Sequence, residues 1–115
     1  MLFDSKSLGV LRGSLNGLAL QQRAILHNLA NLETPGYKAK NVTFEDTLKG
    51  AGGRYDLKAH ILTDDATSIR PDGNNVDADA ESMKLYQNYV QQLYVYQKIG
   101  GQFTNLRYVL NQSAK

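Results

Sequence analysis

Apolar residues recur in the first third of the chain at alternating spacings of three and four, the pattern of one face of an α-helix. The series holds over more than three heptads and contains one polar residue, a glutamine. It predicts a helix from about Ser5 to Asn31, ~40 Å long at 1.5 Å per residue. The members of the series are Leu8, Leu11, Leu15, Leu18, Gln22, Ile25 and Leu29.

A turn is predicted where this helix ends. Pro35 has φ pre-set for the second position of a turn, and Gly36 can take a positive φ at the third. Thr34 is pushed away from the helical region by the proline that follows it. Asn31 can take a left-handed conformation just past the last helical turn. The simplest interpretation of the stretch is a sharp turn and nothing more.

The helical periodicity is absent between Tyr37 and Asn75. Val42 and Phe44 alternate with polar neighbours, residues 50–53 form a glycine-rich break, and residues 55–62 are a possible strand. These features predict an irregular, extended middle segment that can hold a small β-hairpin. The alternative is a loop that is disordered or that a partner orders.

A second long helix is predicted from about Asp79 to Asn111, roughly 50 Å in length. Asp77 is the best candidate for its N-cap, and acidic residues follow in the first turn. A three-four series again contains one glutamine and comprises Leu85, Tyr89, Gln92, Tyr96, Ile99, Phe103, Leu106 and Leu110. An adjoining apolar stripe is formed by Met83, Tyr86, Val90 and Leu93.

The fold class predicted from these patterns is mainly α, with the two long amphipathic helices paired as an antiparallel coiled coil. Residues 1–33 and 76–115 form a helical core domain, and residues 34–75 form the irregular middle segment. Gln22 and Gln92 are candidates to fix the register of the coiled coil by hydrogen bonding. Two helices can cover only one seam of each other, so further chains are expected to cover the second stripe and the remaining tyrosines. The alternative is that the middle segment folds over that stripe.

Composition and charge add no catalytic or nucleic-acid function. The chain has 115 residues, a formal charge of +2 with the two signs interspersed, no cysteine and two histidines, His27 and His60. A calcium loop starting at Asp72 would need Gly at its sixth position and Glu at its twelfth, where Asp77 and Met83 stand. We therefore predict no catalytic residue, metal, cofactor, nucleic-acid partner or membrane insertion, and no cleaved signal peptide.

Two motifs carry a resemblance to a known family. Residues 28–39 look like the N-terminal signature shared by bacterial rod, hook and hook-associated proteins, and residues 70–77 lead directly into the second helix. The chain resembles the flagellar basal-body rod proteins, most closely the FlgB type of the proximal rod. The residues concerned are Asn28, Asn31, Thr34, Pro35, Gly36 and Tyr37 in the first motif, and Asp72, Gly73, Asn74, Asn75, Val76 and Asp77 in the second.

This resemblance implies a structural subunit that assembles through its terminal helices into the periplasmic rod, the drive shaft of the motor. It implies export through the flagellar type III apparatus without a cleaved signal. The implied partners are other rod subunits, the rod-to-membrane-ring adaptor and the export gate, in homo- and hetero-oligomers. The alternative is a helical adaptor or export chaperone that binds one partner helix. That alternative needs neither motif, so their presence argues against it.

Overall fold

The computed structural model describes residues 6–49, 54–65 and 70–113. Four elements follow one another along the chain: helix α1 (Lys6–Ala30), strand β1 (Lys40–Lys49), strand β2 (Arg54–Thr63) and helix α2 (Ala78–Ser113). The predicted mainly helical class is therefore confirmed, and so is a small hairpin in the middle segment. The glycine-rich break at residues 50–53 lies outside the described residues.

Helix α2 begins as its sequence predicts. The Asp77 carboxylate accepts hydrogen bonds from the amide nitrogens of Asp79 (3.1 Å) and Ala80 (3.3 Å), which have no partner inside the helix. Asp79 and Glu81 add negative charge to the first turn, where the helix dipole favours it. Asp77 is thus the N-cap residue.

The end of α1 differs from the expectation at Asn31. Among the described residues, positive φ occurs only at Gly36 (72°) and Gly73 (84°), so Asn31 does not take the left-handed conformation open to it. The Asn31 side chain instead donates from Nδ2 to the carbonyl of His27 (2.8 Å). Asn31 therefore caps α1 through its side chain, and the chain reverses four residues later at the turn built on Pro35 and Gly36.

The two strands form an antiparallel hairpin whose register runs from Lys40 opposite Thr63 to Lys49 opposite Arg54. Both strands pack against α1. One close approach is at Gly17, where an added Cβ would lie 2.1 Å from Cε1 of Phe44. Glycine at this helical position leaves the space that the aromatic ring fills.

Helices α1 and α2 run in opposite directions along their shared seam. Asn28 near the end of α1 contacts Glu81 near the start of α2, and Ser7 at the beginning of α1 accepts a hydrogen bond from Gln102 (2.7 Å). In the predicted α2 series every second member is buried or half-buried, namely Leu85, Gln92, Ile99 and Leu106. The members between them, Tyr89, Tyr96, Phe103 and Leu110, are exposed and lie outside the seam with α1.

The side chains that replace those four residues in the seam are mostly polar. They are Glu81, Asn88, Val95 and Gln102, which recur every seven residues. Together with Leu85, Gln92, Ile99 and Leu106 they give α2 a regular three-four seam. The aromatic residues were expected in this seam because they are the more apolar choice; the observed seam has hydrogen-bonding partners on α1 instead.

The molecule is elongated, with extents of 70 × 32 × 14 Å and a radius of gyration of 18.9 Å. A compact chain of this length would have a radius of gyration of ~13 Å. The hairpin lies on α1 and leaves the stripe of Met83, Tyr86, Val90 and Leu93 exposed, so the alternative in which the middle segment covers that stripe is wrong. Neither described helix is long and apolar enough to cross a membrane.

Candidate functional site

The two motifs singled out in the sequence lie directly against each other, although about 40 residues separate them in the chain. The Gly36 amide donates to the carbonyl of Asp72 (2.9 Å), and the Asn75 amide donates to the carbonyl of Tyr37 (3.3 Å). Lys38 Nζ donates to the carbonyl of Gly73 (2.6 Å). We call this unit, residues 28–40 together with residues 70–77, the clasp. The sequence predicted two separate turns, and the structure joins them.

Asn28 is the central side chain of the clasp on the α1 side and is completely buried (0% exposed). Its Oδ1 accepts hydrogen bonds from the Tyr37 hydroxyl (2.8 Å) and the Lys40 amide (2.9 Å). Its Nδ2 donates to the Lys40 carbonyl (2.8 Å) and to a carboxylate oxygen of Glu81 (3.1 Å). All four hydrogen-bonding positions of the amide are used, and they connect α1, β1 and α2.

Asn74 has the corresponding role on the loop side and is also 0% exposed. Its Nδ2 lies within hydrogen-bonding distance of three carbonyl oxygens, those of Asn31 (2.9 Å), Leu32 (3.2 Å) and Thr34 (2.8 Å). Its Oδ1 accepts from the Val76 amide (2.8 Å), forming a local turn. These carbonyls belong to the turn that follows α1, so Asn74 holds that turn from a distant part of the chain.

Asn75 connects the hairpin to the clasp. Its Oδ1 accepts from the amide of Ala39 (2.6 Å), just before β1, and its Nδ2 donates to the carbonyl of Asp64 (2.8 Å), just after β2. Both ends of the hairpin are therefore held by one side chain. At Gly73 an added Cβ would lie 3.6 Å from Cα of Gly36, so the two positive-φ glycines are neighbours in the folded chain.

Tyr37 lies between a histidine and the buried amide of Asn28. Its hydroxyl is 2.8 Å from Nδ1 of His27, and the two rings are 5.6 Å apart at their centroids. Burial raises the pKa of the Tyr37 hydroxyl above its ordinary value, and the negative charge of Glu81 adds to the shift. Both effects disfavour the phenolate. The neutral hydroxyl is the form that can donate to Asn28.

A group of amide side chains, which we call the amide ladder, crosses the seam between the helices. It consists of Gln21 and Gln22 on α1 and Asn88 and Gln92 on α2. Asn88 Nδ2 donates to the carbonyl of Leu18 and to Oε1 of Gln21, both at 2.9 Å. Gln92 Nε2 donates to Oε1 of Gln22 (3.1 Å) and to Oδ1 of Asn88 (2.6 Å). The two glutamines that the sequence singled out are thus in contact.

The predicted interface residues fall into two groups. The buried or half-buried group is used inside the chain and comprises Leu8, Leu11, Leu15, Leu18, Gln22, Ile25, Leu29, Leu85, Gln92, Ile99 and Leu106. The exposed group comprises Tyr89, Tyr96, Phe103 and Leu110. The stripe of Met83, Tyr86, Val90 and Leu93 lies on the side of α2 opposite the seam, with exposed fractions from 44% to 66%. We call this stripe the outer stripe.

Sequence reasoning missed several polar residues that the structure buries. Glu81 was interpreted as a helix-dipole residue, and Asn88 was not assigned a role, yet both are buried. Arg70 donates to the carbonyl of Leu32 and lies 3.9 Å from a carboxylate oxygen of Glu33. The signal available for Glu81 and Asn88 was their seven-residue spacing in the series that also contains Val95.

Within the described ranges, no three acidic or histidine side chains are grouped so that they could hold a metal ion. The site is built of amides, backbone groups and tightly placed glycines, which position chain segments relative to one another. The site connects the two helices to the hairpin through hydrogen bonds.

Comparison with known proteins identifies the class. No protein-family model matches the sequence. The flagellar basal body rod protein FlgB of Bacillus subtilis (strain 168) is 31% identical over 96% of this chain and 97% of its own length. FlgB of Borrelia hermsii is 32% identical over 81% of both chains, and FlgB of Escherichia coli (strain K12) is 28% identical over 84% of this chain and 87% of its own.

These relatives define a structural component of the bacterial flagellum. The chain belongs to the FlgB family of flagellar basal body rod proteins. The predicted family is thereby confirmed, as is the prediction that the chain is a structural protein and not an enzyme. Other rod components are its expected partners.

Proposed function

We propose that this protein is a proximal rod subunit that joins its neighbours through the exposed apolar face of α2, with α1 and α2 forming the axial core of the motor's drive shaft. The observation that carries the proposal is the outer stripe. Four apolar side chains lie on one face of a long helix, opposite its seam, and remain exposed in the single chain. Monomeric soluble proteins rarely expose a continuous apolar face of this kind.

The accessible surface of the chain supports association. It measures 8041 Å². A compact monomer of 12.8 kDa would expose about 6,300 Å². The difference of about 1,700 Å² is about twice the ~800 Å² that each partner buries in a standard protein interface. Heterologous contacts on this surface that do not close would produce a helical array.

An antiparallel coiled coil is the core geometry that we propose for residues 1–33 and 76–115. The opposite direction of the helices and the three-four seam of α2 support it. The hydrogen bond between Gln22 and Gln92 would fix the register, since a polar pair in a seam penalises other alignments. Packed helix faces deform little, which suits a shaft that carries torque.

The clasp gives the middle segment, residues 34–75, a fixed direction relative to this core. The first motif lets the chain leave the core after α1, and the second returns it at the start of α2. Because Asn28, Asn74 and Asn75 tie both crossing points together, the hairpin cannot swing independently of the helices. We infer that the clasp orients the hairpin on the outside of the rod or between subunits.

The partners and the location follow from membership of the family as further parts of the proposal. We propose homo- and hetero-oligomeric contacts with rod subunits, the rod-to-membrane-ring adaptor and the export gate. We propose a periplasmic position in the rod, reached by type III export without a cleaved signal peptide. A chain threaded unfolded into an oxidising compartment benefits from having no cysteine.

Complementation of motility tests the role of the outer stripe. Leu93→Glu places a charge in the proposed interface and should abolish or strongly reduce swimming of a strain that lacks its own copy, with normal protein level. Gln91→Glu, a nearby exposed position outside the stripe, is the matched control and should swim normally. Full motility with Leu93→Glu would contradict the proposal.

The helical adaptor remains the alternative, and the way in which the protein associates distinguishes it from a rod subunit. An adaptor that binds one partner helix would form a defined heterodimer. A rod subunit should associate in an open-ended way through heterologous contacts. Light scattering across a concentration series, with and without other rod subunits, separates these outcomes. A single heterodimer of fixed mass would favour the adaptor.

A further inference from the structure

Helix α2 could present either of two seams to α1. The two seams share Leu85, Gln92, Ile99 and Leu106. The observed seam adds Glu81, Asn88, Val95 and Gln102, whereas the alternative seam adds Tyr89, Tyr96, Phe103 and Leu110. The two arrangements differ by a rotation of α2 of ~50° about its own axis, half of the 100° between consecutive residues.

Burial of apolar surface by itself would favour the alternative seam. It would place Tyr89 (60% exposed) and Tyr96 (56% exposed) between the helices and would return Asn88 to water. The structure instead buries Asn88 to 1% exposure. An interaction other than apolar burial must therefore select the observed rotation.

The hydrogen bonds of Asn88 supply that interaction. Its amide nitrogen donates to the carbonyl of Leu18 and to Oε1 of Gln21, and its oxygen accepts from Gln92. Rotation by half a residue step would remove Asn88 from these partners. Gln21 would then lose its amide partner and the carbonyl of Leu18 its donor, which disfavours the rotated arrangement.

We propose that Asn88, acting through the amide ladder, is the residue that sets the rotation of α2 against α1 and thereby decides which face of α2 points outward. With Asn88 in the seam, the outer stripe and the exposed tyrosines remain on the surface. This inference deepens the proposed function, because that surface is the one proposed to contact other subunits. Asn88 is a positioning residue and contacts no partner chain itself.

Single cysteines introduced into the full chain can report the rotation, because the natural sequence contains none. Val95 is buried in the observed seam, and Tyr96 beside it is exposed. In the otherwise unchanged protein, Tyr96→Cys should react with a thiol reagent at least tenfold faster than Val95→Cys. The ratio of the two rates measures the rotation of α2.

Asn88→Ala should reverse or abolish that ratio, because it removes the amide that selects the observed seam and adds little apolar surface there. The labelling rate of Val95→Cys should rise at least threefold and that of Tyr96→Cys should fall. Asn105→Ala makes the same change at an exposed position of α2 and is the matched control, which should leave both rates unchanged. Adding Tyr89→Gln to Asn88→Ala should restore the original ratio, since it removes an apolar member of the alternative seam.

Circular dichroism shows whether each variant keeps its helices. If Asn88→Ala loses helix, Asn88→Asp keeps the size of the side chain, places a negative charge against the carbonyl of Leu18 and should shift the ratio in the same direction. An unchanged ratio in a helical variant would overturn the inference, as would loss of helix in both variants or equal rates at both positions before Asn88 is changed. The labelling rates are measured on the single chain and do not depend on assembly of the rod. A reversed ratio with normal motility would therefore support the role of Asn88 and contradict the proposed interface.

Discussion

At the scale of single residues, asparagine side chains carry the long-range connections of this protein. Asn28, Asn74 and Asn75 each bridge segments that are distant in sequence, and each uses its amide as both donor and acceptor. A buried amide that satisfies all its positions fixes geometry, whereas one left without partners is costly. The clasp is therefore sensitive to small changes of side chain.

Removal of the Asn28 amide should destabilise the protein by about 3 kcal/mol, because Asn28→Ala leaves buried partners on Tyr37, Lys40 and Glu81 without their hydrogen bonds. Urea denaturation followed by circular dichroism measures this change. Asn16→Ala, at an exposed position of the same helix, is the control and should change stability by no more than about 0.5 kcal/mol. Equal stability of the two variants would show that the clasp contributes nothing to folding.

Stability should also fall at alkaline pH because of Tyr37. Its pKa is raised in the folded chain by burial and by Glu81, so the folded state holds the proton more tightly than the unfolded state. The resulting stabilisation is present below the unfolded pKa of about 10 and is lost as pH rises through the folded pKa. Unfolding free energies between pH 9 and 11 should decline for the natural chain and decline less for Tyr37→Phe. Identical slopes would contradict a raised pKa at this residue.

At the scale of elements, α1 is the centre of the fold, since it packs against α2 and against both strands. Its bounds could be predicted from the sequence because apolar periodicity and the turn at Pro35 and Gly36 are local signals. The pairing of the two motifs could not be predicted, because no local sequence pattern indicates which distant carbonyl groups Asn74 will bind. The burial of Asn88 could not be predicted either, because periodicity ranks tyrosine above asparagine and does not include the partners that Gln21 and Leu18 offer.

The contact of the hairpin with α1 should depend on the absence of a side chain at Gly17. Gly17→Ala would place a methyl group against the Phe44 ring and displace it, so hydrogen exchange of β1 amides should accelerate several-fold. Gly100→Ala is the matched control in α2, where an added Cβ meets nothing within 4 Å. That variant should gain about 1 kcal/mol of stability from helix propensity. Unchanged exchange in Gly17→Ala would mean that Phe44 does not hold the hairpin to α1.

At the scale of the whole molecule, the chain is thin and elongated. Few of its described side chains are fully buried, and the side of α2 that faces away from α1 exposes apolar residues. Such a body hides little of its apolar surface by itself. The amide ladder and the clasp hold two helices and a hairpin in one arrangement, and the outer stripe stays exposed, where we propose that neighbouring chains cover it. This division of roles suits a subunit of the flagellar rod.

Site-specific photo-crosslinking in assembled basal bodies tests this account most directly. A crosslinking amino acid placed at Tyr86 or Leu93 of the outer stripe should give covalent adducts with other rod subunits. The same group at Val95, in the seam, should give none, because its neighbours belong to its own chain. Adducts from Val95 with no adducts from Tyr86 and Leu93 would contradict the claim that the outer face of α2 joins the subunits.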